Sequence, residues 1–218
     1  QRAAYDESTL LTRGTNPQNS VTFRGYGFPD RLTTNLVFCE SFILDPSSGT
    51  PCPFTTWRAN GCFDPQQALG GNQPAYFDQL VSIYNRYKVN GSKITASFSR
   101  GSNTTANVGP YLCGITMGPA SSLPTTNPGK LMSAPNTISR LVSTDDGTCN
   151  LVQTYSAKNT FPDLTDGLQA QQSTNPAQEW YAKVFATPQG IDVEIPINVT
   201  IRIEYNVTFS DVLTIVDA

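Results

Sequence analysis

The sequence contains no histidine among its 218 residues. Ser–His and Cys–His nucleophile pairs cannot be assembled without one, and histidine metal ligands are excluded as well. No GxGxxG or GxxxxGK[ST] run occurs either, so a nucleotide cofactor has no evident binding loop. We therefore predict a protein without enzymatic activity, without a cofactor and without a metal site.

Charged side chains are also scarce. They make up 14% of the residues, and 14 Lys or Arg against 17 Asp or Glu give a net charge of −3. No Lys/Arg run is present, although phosphate binding depends on clustered cations. No apolar run approaches the roughly 20 residues of a membrane span. With 16 Gly, 16 Pro and 38% hydrophobic residues, the composition is typical of a turn-rich β protein rather than of a disordered chain.

The cysteines number five and none lies in a CxxC pair. An odd count without that spacing indicates neither a zinc site nor a regular disulfide framework. We expect free, buried thiols in a reducing compartment, and the sequence leaves disulfide-bonded pairs open as the alternative. The residues are Cys39, Cys52, Cys62, Cys113 and Cys149.

The C-terminal part has the clearest strand pattern. From residue 195 to residue 210, apolar and polar side chains alternate without a break, which predicts a strand with one buried and one polar face. Its length exceeds the usual five or six residues and suits a large sandwich. Eight strands with Gly- and Pro-rich connections predict a single all-β domain, an antiparallel sandwich or jelly roll. The other candidate strands are residues 36–44, 54–59, 93–98, 111–117, 137–142, 150–155 and 180–186.

One stretch, "YFDQLVSIYNRYKVNGSKI" (residues 76–94), interrupts this β pattern. Its first half predicts a short helix, because Pro74 precedes it and its apolar residues recur at spacings of three and four. Asn90-Gly91 then breaks the pattern, and we expect a turn or bulge there that shifts the side-chain phase of the following strand. The residues of the predicted helical face are Tyr76, Leu80, Ile83, Tyr84 and Tyr87.

Two connections, residues 61–75 and 156–177, are longer than a sandwich requires and carry aromatic residues and prolines. Loops of this length are usually functional or disordered. Their apolar side chains either become buried against another subunit or fold back over their own sandwich; the sequence leaves both open. The candidate interface residues are Phe63, Pro65, Tyr76, Phe161 and Pro162. Residues 1–19 are polar without periodicity and are expected to form an N-terminal arm, which leaves 20–218 as the single domain.

The runs "WRANGCFDP" (residues 57–65) and "GGNQPAYFDQLVSIYNRYKVNGSKI" (residues 70–94) resemble the capsid proteins of small circular single-stranded DNA viruses, the circovirus-like or CRESS-DNA group. "NPAQEWY" (residues 175–181) is similar to the segment that leads into that family's penultimate strand, and "IRIEYNVTFSD" (residues 201–211) to its last strand. The match extends from about the mid-thirties to the end of the chain.

The resemblance implies a single eight-stranded jelly roll of the viral capsid type, with the short helix in the connection between strands C and D. It implies a virion protein without enzymatic activity, assembled as a T=1 icosahedral shell of sixty copies around a circular single-stranded DNA genome. Assembly in the host nucleus is implied too. The host and the cell-surface receptor are not indicated.

The sequence departs from the family at its beginning. Capsid proteins of this group usually start with an arginine-rich arm, whereas the first residues here hold only Arg2 and Arg13. We expect the arm to precede Gln1 and to bind most of the single-stranded DNA. Further candidates for DNA contact, each of which would otherwise be an ordinary solvated charge or ion pair, are Arg24, Arg31, Arg58, Arg86, Lys88 and Lys93.

Two other classes of protein fit parts of the sequence. A secreted, lectin-like β-sandwich would use Trp57 and Trp180 to stack on sugars. A jelly-roll glycosidase would need two carboxylates roughly 5 to 9.5 Å apart, and no spacing in the sequence selects a pair. The carboxylates available for it are Glu40, Asp45, Asp64 and Glu179.

Overall fold

The structure is a computed structural model that describes residues 28–47, 49–68, 72–101, 109–143, 146–163, 167–189 and 196–213. These ranges contain nine strands and three short helices. The strands are β1 (Arg31–Leu44), β2 (Phe54–Arg58), β3 (Tyr84–Arg100), β4 (Tyr111–Gly118), β5 (Thr137–Val142), β6 (Cys149–Ser156), β7 (Gln169–Gln171), β8 (Tyr181–Pro188) and β9 (Ile197–Val212). The helices are α1 (Phe77–Val81), α2 (Pro128–Met132) and α3 (Ala157–Thr160). None of them is long and apolar enough to cross a membrane.

The strands form two antiparallel sheets with jelly-roll connectivity. The first sheet has the order β1-β9-β3-β6, and the second has the order β2-β8-β4-β5. If the eight long strands are lettered B to I in chain order, the sheets read BIDG and CHEF, which is the double Greek key of a jelly roll. The predicted fold is therefore confirmed, as are all eight candidate strands. The three-residue β7, which pairs with the first part of β3, was not predicted.

The core lies between the two sheets and follows the predicted alternation. In β9, the odd-numbered residues from Ile197 to Phe209 are at most 1% exposed, while the even-numbered residues point away from the core. Strict alternation places one whole face of the strand in the core, so the polar face of the first sheet is continuous and faces outward.

The register of β3 shifts at Asn90. The shift lies between Val89 and Gly91, where β3 pairs with β9. Directly before the shift the buried residues are the odd-numbered Tyr87 and Val89, and after it they are even-numbered, as at Ile94. An extra residue in one strand has this effect on side-chain phase, so the predicted bulge at Asn90-Gly91 is confirmed.

The predicted helix is shorter than expected. α1 ends at Val81, and Tyr84 and Tyr87 belong to β3, where pairing with β9 supplies the backbone hydrogen bonds. Tyr76 was expected on the buried face, but it is 74% exposed. Phe77 is buried instead and packs edge-on against Tyr87 at a centroid distance of 5.1 Å. The helix still packs on the sandwich just before β3, as the pattern indicated.

All five thiols are free, as predicted. Four of them are buried, but Cys39 is exposed. The expectation of burial was wrong for Cys39 because this residue points outward from β1, the edge strand of the first sheet.

A small apolar cluster covers the outer face of the second sheet. The ring of Phe185 lies directly over Gly114 of the neighbouring strand, and a Cβ on Gly114 would lie 2.3 Å from Cζ of Phe185 and 2.9 Å from the carbonyl oxygen of Ile138. The members of the cluster are Cys52, Leu112, Leu131 and Phe185.

Gly114→Ala should therefore destabilise the protein by about 1–3 kcal/mol, because the added methyl group overpacks this contact. Urea unfolding monitored by tryptophan fluorescence measures the change. Gly49→Ala is the matched control, because nothing lies within 4 Å of a Cβ built there. If Gly114→Ala and Gly49→Ala were equally stable, the close packing of Phe185 over Gly114 would be contradicted.

Lys183, in β8, is a buried cation. Its side chain is 2% exposed, and its Nζ donates to the carbonyl oxygen of Ala120 at 2.9 Å. Burial lowers the pKa of Lys183 from its ordinary value of 10.5 to about 8. Between these two pH values the unfolded chain holds a proton that the folded chain lacks, so the cost of burying Lys183 is greatest below pH 8 and falls as the pH rises towards 10.5.

Lys183→Met should accordingly raise the free energy of unfolding at pH 7 by about 1–3 kcal/mol. The advantage should shrink as the pH approaches 10.5, and chemical denaturation across this pH range measures it. Lys158 is exposed, so Lys158→Met is the control. Its free energy of unfolding should differ little from that of the wild type, and the difference should not shrink as the pH approaches 10.5. A Lys183→Met advantage independent of pH would rule out the titration as its cause.

Candidate functional site

The sequence runs that carry the resemblance meet at one end of the sandwich around Arg58, the last residue of β2. Its Nε donates to Oε1 of Glu179 at 2.5 Å, and its Nη1 contacts Oδ2 of Asp64 at 3.1 Å. The hydroxyl of Tyr181 donates to the other oxygen of Glu179. The Arg58 side chain is 12% exposed, so its charge is satisfied inside the fold.

Asn60 extends this network to the segment before β8. Its Nδ2 donates to the carbonyl oxygen of Gln178 at 2.7 Å, and its Oδ1 accepts from the backbone N–H of Trp180 at 2.8 Å. The hydroxyl of Tyr205 in β9 donates to the carbonyl oxygen of Arg58 at 2.7 Å. Buried polar groups of this kind need their partners, so the motif residues join the connection after β2 and the segment before β8 to both sheets.

Two sequence predictions change with this geometry. Arg58 is committed to two carboxylates, so we do not retain it as a DNA contact. Trp57 is fully buried against Phe38 and Phe42, at centroid distances of 5.6 Å, so it cannot stack on a sugar.

The second tryptophan and the carboxylates give little support to a lectin or a glycosidase. Trp180 is partly buried and packs edge-on against Phe161 at 5.7 Å. Among the four carboxylates considered for a glycosidase, Asp64 and Glu179 both pair with Arg58. Glu40 lies on β1 and Asp45 just after it, in the other sheet.

Several Lys and Arg side chains lie on the outward face of the first sheet, the face that points away from the core. The register places Arg31 of β1 and Lys88 and Lys93 of β3 on the same face as Arg86 and Arg202. Two acids lie beside these cations: Glu204, paired with Arg202 at 2.9 Å, and Asp211, paired with Arg86 at 3.1 Å. Four of the six predicted DNA-contact residues therefore share one surface; Arg24 lies outside the described residues. Arg202 was not predicted, because single-sequence alternation does not identify the strands beside it.

Hydroxyl and amide side chains fill the space between these cations. Thr33 and Thr208 are linked through their hydroxyls at 2.9 Å, and Asn206 donates to Asn35 at 2.9 Å. The amide of Asn90, the bulge residue, donates to Thr208 at 2.8 Å. Ser, Thr and Asn side chains join Lys and Arg as the usual donors to nucleic-acid phosphates, so this polar face has the chemistry of a backbone-binding surface.

A cleft of about 220 Å³ opens on this face where β7 pairs with β3. It is lined by Arg86, Gln169, Ala170 and Gln171. Lys88 pairs with Gln169 in the register of β3 and β7, so a second cation adjoins the cleft. The guanidinium and the ammonium are donors only, and each amide offers an NH2 donor beside its acceptor oxygen, so the cleft has the donors to bind an anion.

The five predicted interface residues divide into two groups. Pro65 is buried, and Phe63 and Phe161 are half-buried and pack against the core of their own chain. Pro162 and Tyr76 are exposed. Tyr76 combines 74% exposure with a backbone φ of 70°, a conformation that is a genuine outlier for a bulky residue.

A scan of protein-family models and a search of curated proteins found no match. The solved structures to which the chain is similar include the 60-mer of the BFDV capsid protein, with 11% identity and a TM-score of 0.47 over 86% of this chain and 97% of that one. The empty head of turnip yellow mosaic virus has 12% identity and a TM-score of 0.45 over 89% of each chain. The nora virus structure has 10% identity and a TM-score of 0.47 over 93% of this chain and 68% of that one. At these values the likeness adds nothing to the fold that the strand order already defines.

Proposed function

We propose that the protein is a structural capsid subunit, without enzymatic activity, that self-assembles into a sixty-copy icosahedral shell enclosing a circular single-stranded DNA genome. The observation that carries this proposal is the network around Arg58 and Asn60. Sequence runs separated by more than a hundred residues carry the resemblance to circovirus-like capsid proteins, and they form one polar cluster inside a jelly roll. The shared motif is thus a structural unit rather than a set of scattered matches.

Self-association is supported by the placement of Tyr76. A bulky residue held at positive φ costs of order 1–3 kcal/mol, and residues strained in this way cluster at functional sites. With this backbone conformation the side chain of Tyr76 is 74% exposed, while the next residue, Phe77, is fully buried. Exposed aromatic residues are enriched at the centre of protein interfaces. Tyr76 and Pro162 are therefore our candidates for contact with neighbouring subunits.

Genome binding is assigned in part to the outward face of the first sheet and mainly to an arginine-rich segment placed upstream of this sequence. The face offers Arg31, Lys88 and Lys93 in addition to the ion-paired Arg86. A protein that contacts phosphates through few cations binds weakly and with a shallow salt dependence, because the slope scales with the number of phosphates contacted. We expect shells of the 218-residue chain to contain little nucleic acid, and fusion of an arginine-rich segment to increase the content.

Electron microscopy and light scattering of the purified chain test the proposal. Uniform small spherical particles are expected for the wild type, and Tyr76→Phe, which keeps the ring, should assemble as well. Tyr76→Ala and Tyr76→Gly should remain folded but monomeric, with Tyr76→Gly the more stable of the two because glycine tolerates positive φ. Monomeric wild type under all assembly conditions would refute the capsid role. Assembly of Tyr76→Ala would refute only the interface assignment.

A further inference from the structure

Two of the buried cysteines come from opposite sheets and meet in the core. Cys113 lies on β4 of the second sheet, and Cys149 is the first residue of β6 in the first sheet. Their sulfur atoms are 3.7 Å apart, and the two residues are 0% and 2% exposed. Among the residues that the structure describes, no other pair of thiols is recorded in contact.

We propose that the thiols of Cys113 and Cys149 are a site of oxidation, at which a disulfide bond forms and links the two sheets. A disulfide needs a sulfur–sulfur distance near 2.05 Å, so the two atoms must approach by about 1.7 Å. We expect rotation of the two side chains and a small movement at the end of β6 to bring the two sulfur atoms together. The sequence separation of 36 residues makes the bond an effective restraint on the unfolded chain.

The oxidant would be a low-molecular-weight disulfide such as oxidised glutathione. One protein thiolate attacks a sulfur of the oxidant, forms a mixed disulfide and releases one glutathione thiolate. The second protein thiolate then attacks the protein-bound sulfur and releases the second glutathione. The two protons lost by the cysteines end on the two glutathione thiols, and two electrons pass from the protein to the oxidant.

The surroundings make this reaction slow in the closed fold. Burial and the adjacent Cys149 raise the pKa of the Cys113 thiol, so the reactive thiolate is disfavoured. The path to the pair lies at the beginning of β6, because residues 146–148 immediately before Cys149 are exposed. Local opening of this end admits the oxidant, and closing the sandwich then shields the new bond from reductants.

The experiment uses the full chain carrying Cys39→Ser, which removes the exposed thiol. The protein is incubated with oxidised glutathione with and without low urea, and then its free thiols are titrated after denaturation. We expect two thiols to be lost, faster in urea, with a disulfide-linked peptide pair containing Cys113 and Cys149 found by mass spectrometry. Tm should rise by roughly 5–10 °C.

Cys113→Ala and Cys149→Ala should each abolish the rise in Tm, while Cys52→Ala, at another buried thiol, should retain it. Should an alanine variant fail to fold, peptide mapping of the parent protein still decides. Stable glutathione adducts without the internal link, a link to another cysteine, or linkage without a rise in Tm would each overturn the proposal.

Discussion

Arg58→Ala should destabilise the protein by about 3–5 kcal/mol, the largest effect of any substitution considered for this fold. Asp64 and Glu179 would lose their common partner while remaining only 20% and 22% exposed. Removing one member of a buried ion pair is costly because the remaining charge stays desolvated. Arg58 also donates to the carbonyl oxygens of Asp64 and Gln66, so two backbone groups lose a donor as well. Urea unfolding at neutral pH measures the effect.

Arg202→Ala is the matched control. It also removes an arginine that is ion-paired to a glutamate, at 2.9 Å, but both partners are exposed by 40% or more. Exposed pairs contribute about 0–1 kcal/mol, so this variant should unfold almost as the wild type does. Arg58→Lys should not restore stability, since an ammonium cannot reproduce the geometry of the guanidinium. If Arg58→Ala and Arg202→Ala were equally stable, the network would have no special role in the fold.

Replacing Lys88 and Lys93 together by glutamine should weaken binding of single-stranded DNA about 10- to 30-fold at 0.1 M salt. Each phosphate contact to a single strand contributes about −0.7 to the slope of log affinity against log salt, so the slope should fall by about 1.4 for the two. Fluorescence anisotropy with a labelled oligonucleotide, titrated at several salt concentrations, measures both quantities.

The control removes the same charge from elsewhere. Lys130 lies on α2 and Arg140 on β5, both exposed and both away from the first sheet. Lys130→Gln with Arg140→Gln should leave the slope unchanged. If both double variants weakened DNA binding equally, binding would depend on net charge alone. The outward face of the first sheet would then not be the DNA-binding surface.

Most of the fold could be predicted from local pattern. β9 was predicted because one face of the strand packs in the core and the other faces away from it, so the alternation of apolar and polar residues in the sequence shows directly which side chains are buried. The bulge at Asn90-Gly91 was predicted for a related reason. The spacing of apolar residues changes there, and this change can be seen in the sequence itself. β7 escaped prediction because three residues are too few to show a period.

The errors arose where a partner far away in sequence decides the outcome. Tyr84 and Tyr87 fit a helical spacing, but pairing with β9, more than a hundred residues later, makes them part of a strand. For Arg58 the sequence left both a DNA contact and an ion pair open, because its sequence neighbours do not reveal Glu179, which lies 121 residues away. Trp57 could not be assigned to the core without knowing that β1 covers it.

The pairing of β1 with β9 has a consequence for biosynthesis. The hydroxyls that join Thr33 to Thr208 are 175 residues apart in the chain, and β9 also lies between β1 and β3 in the first sheet. Non-local pairing of this kind folds slowly, because loop closure must precede the contacts that reward it. A nascent chain on the ribosome therefore carries β1 and β3 without their shared partner strand until β9 is made. Termination before residue 197 would remove the strand that pairs with both β1 and β3, so we expect an unfolded, aggregation-prone product rather than a smaller sandwich.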